Sequence, residues 1–558
     1  MDRETIRSTL KRLIIPNQVA GLVDRRSQKF AILFRESGRI GSARVLAKNS
    51  LKKSFWAACV SLPLAVTAAV LVCPLLIMIG FVPLIWYMAP ELRLRDRVAE
   101  RREGVERELP LFSVLVNVLG GAGIPLYSIF LTTLSSETFS SMKQEALLAR
   151  RYVGVFGMDP NDSLDRLAAD HPSKKFGEFL LGYTSKTRSG GDVPSYLAGE
   201  SGALLQELEK DWRKYVNSVG IIGSLMVTIF GVVPLLLLVV GVFSPSFSFV
   251  SLVLYAGIGV PLFTVLLLFL AARMQPMGEE RLSGRPVRSG LLAVGGLAVY
   301  IGTGILWLTA ASVIGIVFVS YGITIRNQLA ETNDIEEGIS TFLKDLLEYK
   351  RQEYDMTRAI LAIAARTRYN QSFHKLLSRI SGQLRAGVPL DEVKLGCRSR
   401  LAKLAFLVIG EMSRSGGGTV DTTYQIAQYC GRIVETKKDA SAEMKPYLFL
   451  SYVSPLLLAF GVAFVGGVLS PNGNLLRPEG LSLQVGGLRT APIAPDLAQV
   501  SNMLIVLSAA ALGLVGAKIS DLTVRNTLRA ATNVCMAVAA ILCMTLFVSH
   551  SLALLVGN

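Results

Sequence analysis

The 558-residue chain is short of the residues that do chemistry. Its three histidines, His171, His374 and His550, lie far apart and beside no cysteine or carboxylate cluster at ligand spacing, which argues against a metal site. No Gly-x-x-x-x-Gly-Lys-Ser/Thr occurs, so a P-loop nucleotide site is excluded, and no Ser/His/Asp grouping is legible. Neither an enzyme nor a cofactor is expected. The six cysteines, Cys59, Cys73, Cys397, Cys430, Cys535 and Cys543, fall in apolar runs or in basic segments and frame no disulfide scaffold. A polar leader, 1–54, precedes the first apolar run with no small-residue cleavage pattern after it, so it does not read as a cleaved signal peptide.

Charge is scarce too: 18% of residues are charged and 51% are hydrophobic, and the two kinds are segregated. Uncharged apolar stretches lie near 55–72, 74–89, 219–243, 250–272, 289–307, 308–325, 447–469, 499–517 and 530–550. Most are long enough to cross a hydrocarbon core of about 30 Å as helices. The first two are parted by a hairpin at Pro74, and 289–325 is split near Trp307. With the leader inside, the segments 1–54, 90–218, 273–288, 326–446 and 518–529 hold 56 of the 58 Lys and Arg, leaving Arg477 and Arg489 outside. That asymmetry follows the positive-inside rule and puts the C-terminus outside. The net charge of +16 is read as topology charge and contact with anionic lipid, not as a nucleic-acid surface.

No span carries an Asp, Glu, Lys or Arg in its interior, which disfavours the rival class, a polytopic transporter or channel. Pro63, Pro83, Pro234, Pro261 and Pro455 are read as packing features of their spans.

Two polar blocks, 91–218 and 326–446, read as helix after helix with no strand pattern. Each contains Arg-Ser-Gly-Gly, in "TSKTRSGGDV" (184–193) and "EMSRSGGGTV" (411–420). Apolar residues at i, i+3, i+4 and i+7 precede both copies, Phe176, Phe179, Leu180 and Tyr183 in one and Leu401, Leu404, Ala405 and Val408 in the other. A capping residue and a second amphipathic helix follow: Asp192 in the first copy, Thr419 or Asp421 in the second. The distance from arginine to the next Lys-Asp pair is 22 residues in one block and 24 in the other. The spacing predicts that Arg-Ser-Gly-Gly marks the tip of a helical hairpin in each of two related bundles. The expected fold is an all-α polytopic membrane protein with about nine transmembrane helices and two homologous helical-bundle domains. Its expected organisation is leader 1–54, membrane hairpin 55–89, bundle 91–218, four spans in 219–325, bundle 326–446, and three spans in 447–550 with an outer loop at 470–498.

"ELPLFSVLVNVLGGAGIPLYSIF" (108–130), with its turn at Gly123 and Pro125, resembles the opening of a type II secretion F domain. "AGVPLDEV" (386–393), with Gly387 and Pro389, is similar to the related turn before the next helix, and "GEMSRSGGGTV" (410–420) resembles the family's Gly-Glu hairpin signature. In the first copy Tyr183 stands where the family has the glutamate. The span count is most similar to archaeal members, the platform subunits of archaella and archaeal type IV pili. The resemblance implies a homo-oligomeric platform in the cytoplasmic membrane, in contact with lipid, engaging a hexameric secretion ATPase and feeding pilin or archaellin subunits into a filament. For that ATPase the expected contacts are Arg188 and Arg414 at the tips, Arg150, Arg151, Lys174 and Lys175 on basic faces, and Glu411. Gly123, Pro125, Gly190, Gly191, Gly387, Pro389, Gly410, Gly416 and Gly417 are expected to shape the hairpin turns. Lys437 and Lys438, near a span, are read as anchors.

Overall fold

The computed structural model describes residues 17–39, 41–71, 82–134, 138–243, 245–276, 304–415, 419–469 and 495–556. The expected break at Pro74, most of the loop 470–498, and the turn glycines Gly416 and Gly417 lie outside the described residues. Every regular element among those described is helical, in line with the expected all-α fold. The chain divides into two compact units, 1–205 and 206–558, with the boundary inside one helix.

In the first unit, α1 (Asn17–Glu36) packs on α2 (Ala43–Leu71) and α3 (Val82–Gly121), burying Phe30, Ala47 and Leu94. The bundle continues through α4 (Leu126–Thr132), α5 (Ser141–Gly154), α6 (Pro160–Asp170), α7 (Lys174–Arg188) and the start of α8 (Val193–Val227). Its centre is a knot of rings, with Phe112 4.8 Å from Phe130, 6.0 Å from Phe139 and 6.4 Å from Phe179. Such tilted and edge-on pairs suit the aromatic quadrupole.

In the second unit, π-helical turns at Thr228–Val232 and Tyr255–Gly259 interrupt the apolar helices. They separate α8 from α9 (Val233–Phe243), and α10 (Pro245–Leu254) from α11 (Val260–Met274). Each wide turn comes just before a proline, Pro234 or Pro261. Val233 N–H bonds Thr228 O and Val260 N–H bonds Tyr255 O, five residues back. The extra residue accommodates a ring that would clash with the carbonyl four residues earlier in an α-helix. These prolines therefore do more than pack. The Tyr255 hydroxyl donates to Ile229 O, joining the two wide turns.

α12 (Leu306–Arg351) starts beside Gly304, which has φ +64°, where the sequence places the break in 289–325. It then runs on into the second polar block without interruption. α13 (Met356–Arg366), α14 (Gln371–Arg385) and α15 (Arg400–Ser415) complete that bundle, and α16 (Val420–Leu469) leads from it back to apolar sequence. α17 (Pro495–Asp521) and α18 (Leu528–Val556) close the chain.

Six helices among the described residues are long and apolar enough to cross a membrane; the expected spans 55–72, 74–89 and 289–307 reach outside those residues. α17 is central: 72% of its apolar window is buried, against 22–39% for the other five. Small residues let its neighbours close in, as expected where lipid gives no hydrophobic drive between helices. A Cβ added to Gly513 of α17 would lie 2.3 Å from Ala530 Cα, and one on Gly322 of α12 2.3 Å from Leu528 N. Both obstacles are backbone and cannot rotate away. Gly513→Val is therefore expected to lower the melting temperature in detergent sharply, by more than the roughly 1–3 kcal/mol of ordinary overpacking. Gly315→Ala, which meets nothing within 4 Å, should leave it unchanged.

Candidate partner interface

The two bundles share a register that the Arg-Ser-Gly-Gly repeat only hints at. Phe112 and Phe342 each sit at the centre of a ring cluster, Phe342 lying 5.6 Å from Phe373 and 5.7 Å from Phe406. Each stands 11 residues before a residue with positive φ, Gly123 at +83° and Glu353 at +61°. A second such residue follows 34 residues later in both bundles, Gly157 at +65° and Gly387 at +85°. Two residues after each comes an extended residue that opens the next helical segment: Pro125, Asp355, Asp159 and Pro389, all with ψ between 143° and 151°. Gly387–Pro389 thus corresponds to Gly157–Asp159, and Gly123–Pro125 corresponds to Glu353–Asp355.

Buried polar contacts repeat as well. The Ser173 hydroxyl caps α7 and donates to Glu106 at 2.8 Å; the Ser399 hydroxyl caps α15 and donates to Glu336 at 3.2 Å. Glu106 and Glu336 each precede the first turn residue by 17 positions. Capping of the third helix is exchanged by one helical turn. In the first bundle Glu108 takes the start of α5, while Gly104 lies so close to Ser141 that a Cβ would fall 2.5 Å from its hydroxyl. In the second, Asp334 accepts from Ser372 at the start of α14, while Gly338 makes room for Phe373.

In the first bundle Arg-Ser-Gly-Gly lies where α7 ends and α8 begins. Gly190 has φ +67°, Gly191 N–H bonds Lys186 O at 3.0 Å, and Asp192 caps α8 through Ser195 N–H at 3.0 Å. In the second bundle the cap is Thr419, which accepts from Thr422 N–H. Gly410 is a contact glycine: a Cβ there would lie 2.9 Å from Asp391 Cα. The Tyr183 hydroxyl accepts from Leu126 N–H at 3.0 Å, tying α7 to the turn at Gly123.

The expected tip cations are engaged within their own bundles. Arg188 reaches Asp162 at 2.7 Å and Asp165 at 2.6 Å, and its bond to Asp165 holds its pKa above the usual arginine value. Arg414 bonds the largely buried Glu411 at 2.7 Å. Lys437 bonds Glu336 at 2.9 Å and Lys438 lies 3.5 Å from Glu337, so both join α16 to α12. Lys174 and Lys175 are exposed in the first turn of α7, and Arg150 and Arg151 are exposed near the end of α5.

Two polar nodes carry no local sequence signal. Lys518, buried at the end of α17, donates to Gln275 at 2.8 Å and Leu522 O at 3.2 Å. Arg101 of α3 makes a two-pronged pair with Glu145 of α5, at 2.8 and 2.5 Å, and donates to Glu36 O at the end of α1 at 2.7 Å. His171 lies 3.7 Å from the same carboxylate. Burial, then the Arg101 charge, push the His171 pKa down to about 3. The unfolded chain, with the usual value of 6.5, therefore binds the extra proton across the interval between. Stability is full above pH 6.5 and falls as pH drops toward 3, by about 2 kcal/mol at pH 5. Hydrogen exchange of segment 141–188, corrected for intrinsic rates, should show this loss between pH 7 and 5, and His171→Asn should flatten it.

Residues 112–241 match the family described as type II secretion system (T2SS), protein F, a stretch running from α3 through the rest of the first bundle into the first apolar stretch after it. An uncharacterized protein of Methanocaldococcus jannaschii is 21% identical over 418 residues, covering 66% of this chain and 69% of that protein. No solved structure matches. The chain is a multi-pass membrane protein that carries, at residues 112–241, a match to the type II secretion system protein F family.

Proposed function

We propose that this chain is the membrane platform, or core assembly protein, of a type IV pilus-like or archaellum machine. It couples a secretion ATPase on the cytoplasmic side to insertion of pilin or archaellin subunits into a filament. Both bundles are F domains facing the cytoplasm, with the N-terminus inside and the C-terminus outside. The chain is a coupling scaffold and not an enzyme.

The observation that carries this reading is the family match at 112–241 together with the register of the second bundle, whose ring centre, turns and buried serine–glutamate bond recur at the same spacing. A platform must pass movement of a soluble motor to subunits in the bilayer. α12 and α16, each continuous from bundle to apolar sequence, suit that task.

The test is reconstitution of the full chain in nanodiscs with the candidate secretion ATPase, reading both binding and ATP turnover. Binding that changes turnover is the expected result. A well-folded chain that neither binds nor changes turnover, but passes solute in a liposome flux assay, would overturn the reading in favour of a transporter.

A further inference from the structure

Five chain reversals close in the same way, at Gly38, Gly123, Gly190, Glu353 and Gly387. The residue with positive φ donates to the carbonyl three back, and its successor donates to the carbonyl five back. The end of α5 departs from this. Gly157 N–H reaches four back, to Val153 O at 3.1 Å, and Met158 N–H reaches six back, to Tyr152 O at 3.2 Å. The loop holds one residue more than the others.

The second bundle shows the same excess by a separate route. The buried positions Met142, Glu145, Ala146 and Ala149 of α5 match Phe373, Leu376, Leu377 and Ile380 of α14 at a shift of 231. The turn glycines Gly157 and Gly387 match at 230.

The extra residue pushes two large apolar side chains into solvent, with Val155 73% and Phe156 61% exposed. Leu147, two turns earlier on the same helix, is 51% exposed. At the shift of 231, Leu147 and Val155 correspond to the smaller Ser378 and Ala386. Lys143, Arg150 and Arg151 are exposed on the same helix, and none has an ion-pair partner among the described residues.

The turn lies at the end of the bundle remote from lipid. Asp162, five residues past Gly157, binds Arg188 at the Arg-Ser-Gly-Gly tip, and Tyr183 ties that tip to the turn at Gly123. Gly123 follows α3, which extends 32 residues, about 48 Å, beyond the expected span end at Ala89. A bilayer does not reach so far. Exposed aromatic and arginine residues on one face are the composition of interface anchors. The three cations and the chain's net charge of +16 select an acidic partner over a second copy of this chain.

We infer that Val155 and Phe156, flanked by Lys143, Arg150 and Arg151, form a docking knob for an apolar pocket bordered by carboxylates on a soluble protein. Under the platform reading, on which this inference rests, that protein is the secretion ATPase. Arg188, satisfied by two aspartates, orders the tip and does not reach the partner.

The test uses the full chain in nanodiscs with p-benzoyl-phenylalanine in place of Phe156 and the purified candidate secretion ATPase. Irradiation is expected to join the two proteins. Val155→Ser/Phe156→Ser should raise Kd at least about tenfold, while Phe156→Leu stays within about threefold. Arg150→Glu/Arg151→Glu should slow association and weaken its salt dependence. Cross-linking only to lipid or to a second copy, or an unchanged Kd in the double serine variant, would overturn the knob while leaving the platform reading intact. A wild-type chain that does not bind the ATPase at all would remove both.

Discussion

Replacing Arg101 with methionine is expected to cost the first bundle about 3–5 kcal/mol at pH 7, the range for breaking a buried ion pair from one side. The Arg101 and Glu145 side chains are 8% and 1% exposed, so the carboxylate left behind cannot recover its energy from water. Glu36 O at the end of α1 loses its donor at the same time. A pH series distinguishes this node from a merely well-packed residue. With Arg101 gone, burial still depresses His171 but the second cause, the Arg101 charge, is removed, so the imidazole 3.7 Å from Glu145 protonates at a higher pH and partly replaces the missing cation. The deficit of Arg101→Met should therefore shrink as pH falls from 7 toward 5, while the wild type loses stability over the same interval. Thermal unfolding of the full chain in detergent, followed by exchange in segment 141–188, reads both slopes. A deficit that stays constant with pH would break the link between Arg101 and His171.

Glu108→Gly should be nearly as severe, about 3–4 kcal/mol, because one carboxylate serves four donors. It accepts from Ser140 N–H at 2.9 Å, the Ser140 hydroxyl at 2.8 Å, Ser141 N–H at 2.9 Å and Met142 N–H at 2.9 Å. Bonds to a charged acceptor contribute about 1.5–3 kcal/mol each in buried settings, and they overlap in effect. The second bundle suggests a repair. It places an aspartate at the Gly104 position and a glycine at the Glu108 position, with Asp334 reaching Ser372 at 3.0 Å. Gly104→Asp combined with Glu108→Gly should recover at least half of the loss. Gly104→Asp alone should destabilise, because the added Cβ presses on Ser141 while Glu108 already occupies the helix end. Equal instability of the single and double glycine variants would show that the two caps are not interchangeable.

The apolar runs made the helical class and most of the spans legible, since a long uncharged stretch has few other uses. The tips were legible where glycine itself adopts positive φ, as at Gly190, Gly123 and Gly387. The deeper repeat was hidden because it is kept by geometry and not by residue identity. Glu353 holds a left-handed position that glycine holds in the other copy, and the acid and the glycine of the third-helix cap have traded places. Arg188 and Arg414 looked like open docking charges because their carboxylates come from another helix or another turn. The Arg101 node was out of reach for the same reason, its members lying 44 and 70 residues apart in a run that reads as a solvated face. The exposure of Val155 and Phe156 goes with a hydrogen-bond closure one residue longer than at the other turns, which sequence does not display.

α12 and α16 also set how the second bundle can move. By length they measure about 69 and 75 Å, and they pack against each other over a common stretch bound by Lys437–Glu336 and Lys438–Glu337. A body held on one stalk can swivel freely; a body held on two clasped stalks cannot. Twisting the bundle about either helix works against the pairing of the two, whereas a bend shared by both does not. Pro446 and Pro455, both within α16, mark where such a bend costs least. The second bundle is thus carried on a clasped pair of helices rather than on a single pivot.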